Sequence, residues 1–265
     1  MKEALKIGFF FSCTATSLNT VEKMFPGNLI TYMIEGQLKF SDPDSAYYLQ
    51  AGDTVFIKRN DLLRFSKLAS KEQPHKSIGI YFPQSFLQEY YSQHQPVYDS
   101  SFKLNNRLIM KSPLWDDFFE PLKSYWGKDN DLQHQIVIIK QTEALAILRS
   151  LNPGIDTILS NFDKPGKIDL EEFMNKNYKF NLPLNRYAYL TGRSLATFKR
   201  DFSKIFASSP QRWLTLKRLE YAHFLISEKG LRPSDVYVDS GFENLSHFSN
   251  AFKKRFGYNP SQIKN

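Results

Sequence analysis

The chain has 265 residues, 42% of them hydrophobic and 23% charged, with a formal net charge of +8. That length suggests roughly two domains, and the composition is that of a globular protein. No run of ~18 apolar residues occurs, so no membrane span is expected. The apolar segment Ile7-Gly-Phe-Phe-Phe-Ser-Cys13 is too short for a signal-peptide core and lacks a small-residue cleavage site. One cysteine, Cys13, excludes an internal disulfide framework and a multi-cysteine zinc site. A reducing cytoplasm fits that usage.

In chain order, residues 1 to about 82 read as short strands at Ile7–Phe11, Leu29–Ile34, Gln37–Phe40, Tyr47–Leu49, Thr54–Ile57 and Ser77–Phe82. Turn signals separate them: Pro26-Gly27, Asp42-Pro43-Asp44, Ala51-Gly52-Asp53 and Arg59-Asn60-Asp61. Strands at this spacing suggest a small barrel or sandwich. From about residue 84 the period becomes helical, with expected helices at Phe86–His94, Pro113–Trp126, Gln133–Leu151 and Ile155–Phe162. The third is apolar over much of its circumference, so it is buried or pairs with a second copy of the chain. Asp163-Lys-Pro-Gly166 then reads as a linker or its edge. The expected domains are therefore 1–164, with a barrel over 1–82 and helices over 84–162, and 165–265.

Charge follows that division. Residues 1–164 hold 18 Lys and Arg against 18 Asp and Glu, whereas residues 165–265 hold 17 against 9. A basic segment of this kind favours a polyanion, because each neutralised phosphate releases counterions.

The basic segment contains an internal repeat with an offset of 50 residues. Phe198, Phe202, Phe206 and Pro210 correspond to Phe248, Phe252, Phe256 and Pro260; Lys204 corresponds to Lys254, Ser209 to Asn259 and Trp213 to Ile263. Phenylalanines at steps of four lie on one helical face and must pack inward. The prolines suit the first position of a following helix, with Ser209 or Asn259 as its cap. Upstream of each run a helix ends at a glycine: Leu184–Thr191 before Gly192, and Ser234–Ser240 before Gly241. Helix, tight turn and second helix make the helix-turn-helix arrangement, whose second helix enters the DNA major groove. Those second helices are expected at Ser194–Phe206 and Asn244–Phe256, capped by Ser194 and Asn244. Between the two units Pro210–Glu228 reads as one continuous helix of 19 residues. At 1.5 Å per residue it spans ~28 Å, comparable with the ~34 Å of one DNA turn.

The helical wheel separates the roles. Ala196, Arg200 and Ser203 point away from the first phenylalanine stripe, with Lys199 at its flank. Ser246, Asn250 and Lys253 point away from the second, flanked by His247 and Ser249. Arginine pairs with guanine through two bonds and asparagine with adenine, so Arg200 and Asn250 are the leading candidates for base readout. Ser203, Lys204, Arg212, Lys217, Lys253, Lys254 and Arg255 are the candidates for phosphate contact.

Residues 168–264 resemble the AraC/XylS family of bacterial transcription regulators. The resemblance is carried by Asp235-Val-Tyr-Val-Asp-Ser-Gly-Phe-Glu-Asn-Leu-Ser-His-Phe-Ser-Asn-Ala-Phe-Lys-Lys-Arg-Phe-Gly-Tyr-Asn-Pro-Ser-Gln-Ile-Lys264. It implies an all-α DNA-binding domain with two helix-turn-helix units. Base-facing positions carried over from it are Ala196, Lys199 and Arg200, then Leu245, Ser246, His247 and Asn250. Three positions depart from the family pattern: Tyr237 where a small residue is usual, Ala207 where glycine is usual, and Lys264 where arginine closes the motif. Ala196 cannot hydrogen-bond a base, which leaves a thymine methyl contact or none.

Glu35-Gly-Gln-Leu and Leu49-Gln-Ala-Gly-Asp-Thr-Val-Phe-Ile resemble the cupin-like regulatory domain of many family members, and in particular the subset that activates type III secretion genes under control of a partner protein. The expected fold is thus α+β: a small cupin-like β-barrel with helices, then an all-α domain with two helix-turn-helix units. The resemblance implies an activator that binds double-stranded DNA and meets RNA polymerase. The apolar helix Gln133–Leu151 adds the expectation of a homodimer. The N-terminal domain is expected to dimerise or to sense a small-molecule or protein effector, with the absence of any effector left open. Aromatic residues such as Phe9, Tyr32, Phe40, Phe56, Tyr81 and Phe82 suit either a ligand pocket or a packed core.

Enzyme chemistry is not expected. The five histidines, His75, His94, His134, His223 and His247, form no His-x-His or His-Glu-x-x-His pair, and no phosphate loop or nucleophile elbow occurs. Neither metal, cofactor nor catalytic residue is assigned. His75 is expected on the surface, Cys13 in the interior, and His223 beside the packing face of the Pro210–Glu228 helix. The rival reading is a basic helical adaptor that binds an acidic protein partner.

Overall fold

A computed structural model describes residues 8–16, 18–41, 45–69, 74–102, 104, 108–126 and 134–263. The chain divides into two compact units, Met1–Phe162 and Asp163–Asn265. The turn expected at Asp42–Asp44, the start of the helix at Gln133 and the closing Lys264 lie outside the described residues.

In the first unit the described strands are β1 (Phe9–Thr14), β2 (Leu18–Met24), β3 (Asn28–Glu35), β4 (Gln37–Ser41), β5 (Ala46–Leu49), β6 (Thr54–Ile57), β7 (Leu62–Leu68), β8 (His75–Phe82) and β9 (Leu108–Met110). They pair antiparallel into two sheets, ordered β1-β8-β3-β6-β9 and β2-β7-β4-β5. The two-residue alternation of strands decides which side chains meet. Leu29 and Met33 of β3 and Val55 and Ile57 of β6 join Leu38, Phe40, Leu49 and Leu63 of the smaller sheet in one buried cluster. Ile30, Tyr32 and Phe56 point the other way, into a second cluster with Phe9, Ile78, Ile80 and Phe82. The aromatic side chains Phe9, Phe40, Phe56 and Phe82, each at most 2% exposed, therefore serve as core.

Helices cover that second face. They are α1 (Gln84–Gln93), α2 (Pro113–Phe119), α3 (His134–Leu151) and α4 (Asp156–Leu159). Ser112 Oγ accepts from Leu114 N to start α2. The expected Pro113–Trp126 helix is interrupted, because Pro121 has no N–H to continue the ladder and opens a short 3₁₀ turn, Pro121–Tyr125. Val137, Ala144, Leu145 and Leu148 of α3 face the sheet, and Gln141 Nε2 donates to Tyr81 O at 2.6 Å. Ile138 and Ile139 on its outer side stay exposed.

Two expectations about polar residues are overturned. His75, read as a surface residue, opens β8 and is fully buried. Its Nδ1 lies 3.3 Å from Gln37 O, which can only accept, so Nδ1 carries the proton; Nε2 lies 3.1 Å from Ser77 Oγ. Burial, then the neighbouring Lys67, push its pKa down to about 4. Cys13, read as an interior residue, is exposed: it shares a face of β1 with the buried Phe9 but lies toward the far end of the strand, opposite the partly exposed Lys76.

The second unit is helical: α5 (Leu170–Asn177), α6 (Leu184–Leu190), α7 (Leu195–Phe206), α8 (Pro210–Ser227), α9 (Pro233–Asp239) and α10 (Leu245–Phe256), with a closing 3₁₀ turn at Pro260–Gln262. Trp213 and Leu214 of α8 pack with Leu170, Met174, Tyr187, Ala188, Phe198 and Phe202. Leu219, Ala222, Leu225 and Ile226, further along the same helix, pack with Val236, Phe242, Phe248 and Phe252. One rod of 18 residues, ~27 Å long, thus supplies both small cores.

Candidate nucleic-acid interface

Two similar helix pairs sit at the two ends of α8. In the first, α6 ends at Thr191, and Gly192 reverses the chain at φ +66°. A Cβ on Gly192 would lie 2.3 Å from the carbonyl of Gly166, so both conformation and space require glycine. Ser194 then caps α7, its Oγ accepting from Thr197 N at 3.2 Å. In the second pair, Ser240 closes α9 and Gly241 turns at φ +83°. Asn244 Oδ1 caps α10 by accepting from His247 N at 2.7 Å. At the following junctions the two repeats differ. Ser209 stands at the start of α8 without a side-chain capping bond, whereas Asn259 N donates to Gln262 Oε1 at 2.7 Å.

The phenylalanine stripes face inward. Phe198, Phe202, Phe248 and Phe252 are fully buried, with Phe206 and Phe256 half-buried at the ends. Trp213 packs against Phe202 and Phe206, with ring centroids 5.6 and 4.6 Å away. His223 of α8 stacks on Phe252 and meets Tyr258 Oη at 2.8 Å. Because each stripe claims one side of its helix, the opposite side is left to solvent. On α7 that side holds Ala196, Lys199, Arg200, Ser203 and Lys204; on α10 it holds Leu245, Ser246, His247, Asn250, Lys253 and Lys254, all exposed.

Three cations have local engagements. Arg200 is 65% exposed and approaches Asp201 Oδ1 at 3.4 Å. Arg255 is exposed, but its guanidinium lies 5.5 Å from the Phe256 ring centre. Lys217 is half-buried, 4.0 Å from Glu220 and 5.9 Å from the Trp213 ring centre. Arg212, at the start of α8, is exposed. Lys204 and Lys253–Arg255 also sit in the last turns of α7 and α10, where positive charge complements the helix dipole.

The helix pairs are tied to each other across α8. Arg218 donates through Nε to Tyr178 O at 2.8 Å and through Nη2 to Phe180 O at 2.7 Å. Tyr187 Oη also donates to Phe180 O. Lys179 Nζ stands 3.7 Å over the Tyr221 ring, and Asn181 Nδ2 donates to Glu243 Oε1 at 2.8 Å. Gly241 closes the junction: a Cβ there would lie 2.5 Å from Lys179 O and 3.0 Å from Arg218 Nε. The segment between α5 and α6 in the first pair therefore touches the turn of the second. The sequence reading did not pick out Arg218, although a charged residue four positions from Leu214 and Ala222 lies on the buried face of α8. It also passed over Arg193 and Asp201, which pair at 3.2 Å. An acid set inside an otherwise basic outer face was the available signal.

Among the described residues no group of three or more His, Cys, Asp or Glu side chains could hold a metal ion, and no helix is long and apolar enough to cross a membrane.

Comparison with known proteins adds two family matches, a helix-turn-helix domain over residues 187–265 and the ExsA N-terminal regulatory domain over residues 28–154. The chain is 34% identical to the uncharacterised HTH-type transcriptional regulator YbfI of Bacillus subtilis over 86% of its own length and 82% of the relative's. It is 24% identical to the virulence regulon transcriptional activator VirF of Yersinia enterocolitica, over 88% and 87% of the two chains. It is 23% identical to the HTH-type transcriptional regulator ExsA of Pseudomonas aeruginosa, over 88% and 84%.

Proposed function

Because this chain belongs to the AraC/XylS family of helix-turn-helix transcription regulators, we propose that it is a sequence-specific DNA-binding protein that activates transcription from the promoters it occupies. The observation that carries this reading is the pair of exposed outer faces on α7 and α10, held at either end of one rod whose inner sides are locked by phenylalanine. In this reading α7 and α10 enter successive major grooves on one side of the duplex. Arg200 and Asn250 read bases by two-point hydrogen bonding. Lys199, Ser246 and His247, exposed on the same faces, read bases beside them, and Ala196 and Leu245 offer apolar contact to thymine methyls. Ser203, Lys204, Arg212, Lys217, Lys253, Lys254 and Arg255 supply phosphate contacts and hence most of the salt dependence.

The first unit regulates the second. The match of residues 28–154 to a regulatory domain supports that assignment. The exposed Ile138 and Ile139 on α3 support a homodimer formed through this helix. The effector, whether small molecule or protein, acts on this unit, and RNA polymerase is met from the DNA-bound state in the cytoplasm.

Random-site selection with the full chain, followed by binding of the selected duplex at rising salt, tests the reading. The expected result is a defined sequence containing two half-sites about one turn apart, with affinity that falls steeply with salt. Binding that is indifferent to sequence would refute it and would favour the acidic-protein adaptor.

A further inference from the structure

The geometry points to Asp201 as a positioning residue that orients Arg200 for a base contact, so that base preference at one position depends on a carboxylate that itself touches no base. This inference rests on the base-reading role proposed above for Arg200.

An acid on the outer face of α7 stands against the polyanion that the face is built to meet. Its neighbours explain its presence. Arg193, whose side chain is 10% exposed, donates through Nη1 to Thr191 O at 2.7 Å and to Ile168 O at 3.1 Å. Those two carbonyls fix Arg193 to the turn before α7 and to the segment before α5. Its Nε then donates to Asp201 Oδ2 at 3.2 Å. The other carboxylate oxygen, Oδ1, faces Arg200, whose Nε and Nη2 both approach it at 3.4 Å. Hydrogen bonding from Arg193 keeps the Asp201 carboxyl below the usual carboxylate range, so it stays charged.

A guanidinium has two edges that can form paired hydrogen bonds. The side edge, Nε with Nη2, is turned toward Asp201. The end edge, Nη1 with the second Nη2 hydrogen, remains for a base, and it matches the O6 and N7 acceptors of guanine. A free arginine loses side-chain entropy when it is held on a base, and a carboxylate that already faces the side edge lowers what binding must order. The turn, Arg193 and Asp201 thus form a chain of contacts that starts in the protein interior and ends facing the side edge of the solvent-exposed Arg200. The 3.4 Å contacts are long for hydrogen bonds, which leaves the guanidinium room to advance when a base arrives.

The test uses the full chain and the duplex obtained by random-site selection, with each base pair varied in turn. Affinity is measured at fixed salt for the natural chain, Arg200→Ala, Asp201→Asn, Asp201→Glu and the double variant Arg200→Ala/Asp201→Asn. Arg200→Ala first identifies the position it reads. Asp201→Asn is expected to weaken the preference at that same position by about five- to tenfold, within the range of a two-point base contact. Affinity for a random duplex should hold or rise, because a negative charge has left the interface. Asp201→Glu should retain most of the preference, and the double variant should be no less selective than Arg200→Ala alone. An unchanged preference in Asp201→Asn would overturn the proposal. So would an equal loss at every position with a lowered melting temperature, which marks a structural role. A loss at a neighbouring position would mean that Asp201 accepts from a base directly and is not a positioning residue. If Arg200→Ala leaves every preference intact, the base-reading assignment fails at its own step, before Asp201 is considered.

Discussion

Arg218→Met removes the clamp between α8 and the segment joining α5 to α6, the segment that touches the turn of the second helix pair, while keeping most of the aliphatic stem. The guanidinium makes two charge-assisted bonds, to Tyr178 O at 2.8 Å and Phe180 O at 2.7 Å. Hydrogen bonds to charged groups contribute about 1.5–3 kcal/mol each. The two share one guanidinium and so do not add fully, and the side chain is only half-buried. The expected loss is therefore about 2–4 kcal/mol in the unfolding free energy of the second unit. Urea denaturation followed by far-ultraviolet circular dichroism measures it. Arg218→Lys should recover less than half, because an ammonium is a point charge and cannot span two carbonyls as the fork does. A second readout follows from the position of the clamp. With the helix pairs held rigidly, a duplex lengthened by one base pair between the half-sites should bind the natural chain poorly. Arg218→Met should tolerate it better, at the cost of affinity for the correct spacing. If Arg218→Met unfolds within about 0.5 kcal/mol of the natural chain, which is the scale of ordinary surface substitutions, and discriminates spacing equally well, the clamp has no mechanical role.

Four further outcomes are expected. Asn250→Ala and Arg200→Ala should each lose about 1–3 kcal/mol on the selected duplex and relax one base preference, whereas Lys254→Ala should weaken all duplexes alike and lower the salt slope by about one; a uniform loss for Arg200→Ala would place it on a phosphate. Ala207 holds a left-handed backbone at φ +48° at the end of α7, so Ala207→Gly should stabilise the second unit by about 0.5–1 kcal/mol in the same denaturation assay. His75 titrates near pH 4 when folded but near 6.5 when unfolded. The unfolded chain alone binds that proton between the two values, so stability falls as pH drops from about 6.5 to 4, by up to about 3 kcal/mol; His75→Asn should flatten that part of the pH profile, and an identical slope in both proteins would exclude the histidine as its source. Ile139→Glu, on the exposed side of α3, should shift the full chain toward monomer in sedimentation equilibrium without lowering its melting temperature, and an unchanged mass distribution would remove this face from the dimer.

The second unit was largely legible because its determinants are local. Phenylalanines four apart identify the buried side of α7 and α10, Ser194 and Asn244 mark their starts, and Gly192 and Gly241 mark the turns before them. Each of these signals acts within about two helical turns of chain, so periodicity alone separates the inner faces from Arg200 and Asn250. The first unit was read less completely. β2 (Leu18–Met24), β7 (Leu62–Leu68) and β9 (Leu108–Met110) were not anticipated. Lys67 stands on the face of β7 that Leu63 and Phe65 give to the core and cuts its alternation short, and β9 is three residues long, held by pairing with β6 some 55 positions earlier.

Sequence alone therefore determined the repeat, the two inner faces and the basic outer faces, since helical contacts fall between residues three and four apart. Only the tertiary structure decided that His75 is enclosed and Cys13 open, because how far the packed layers reach along each strand sets which of its residues meet solvent. It also decided that Arg218 grips Tyr178 and Phe180, and that Arg193 reaches Asp201 across the turn. Those contacts join groups 8 to 40 residues apart, and chain folding, rather than any local period, brings them together.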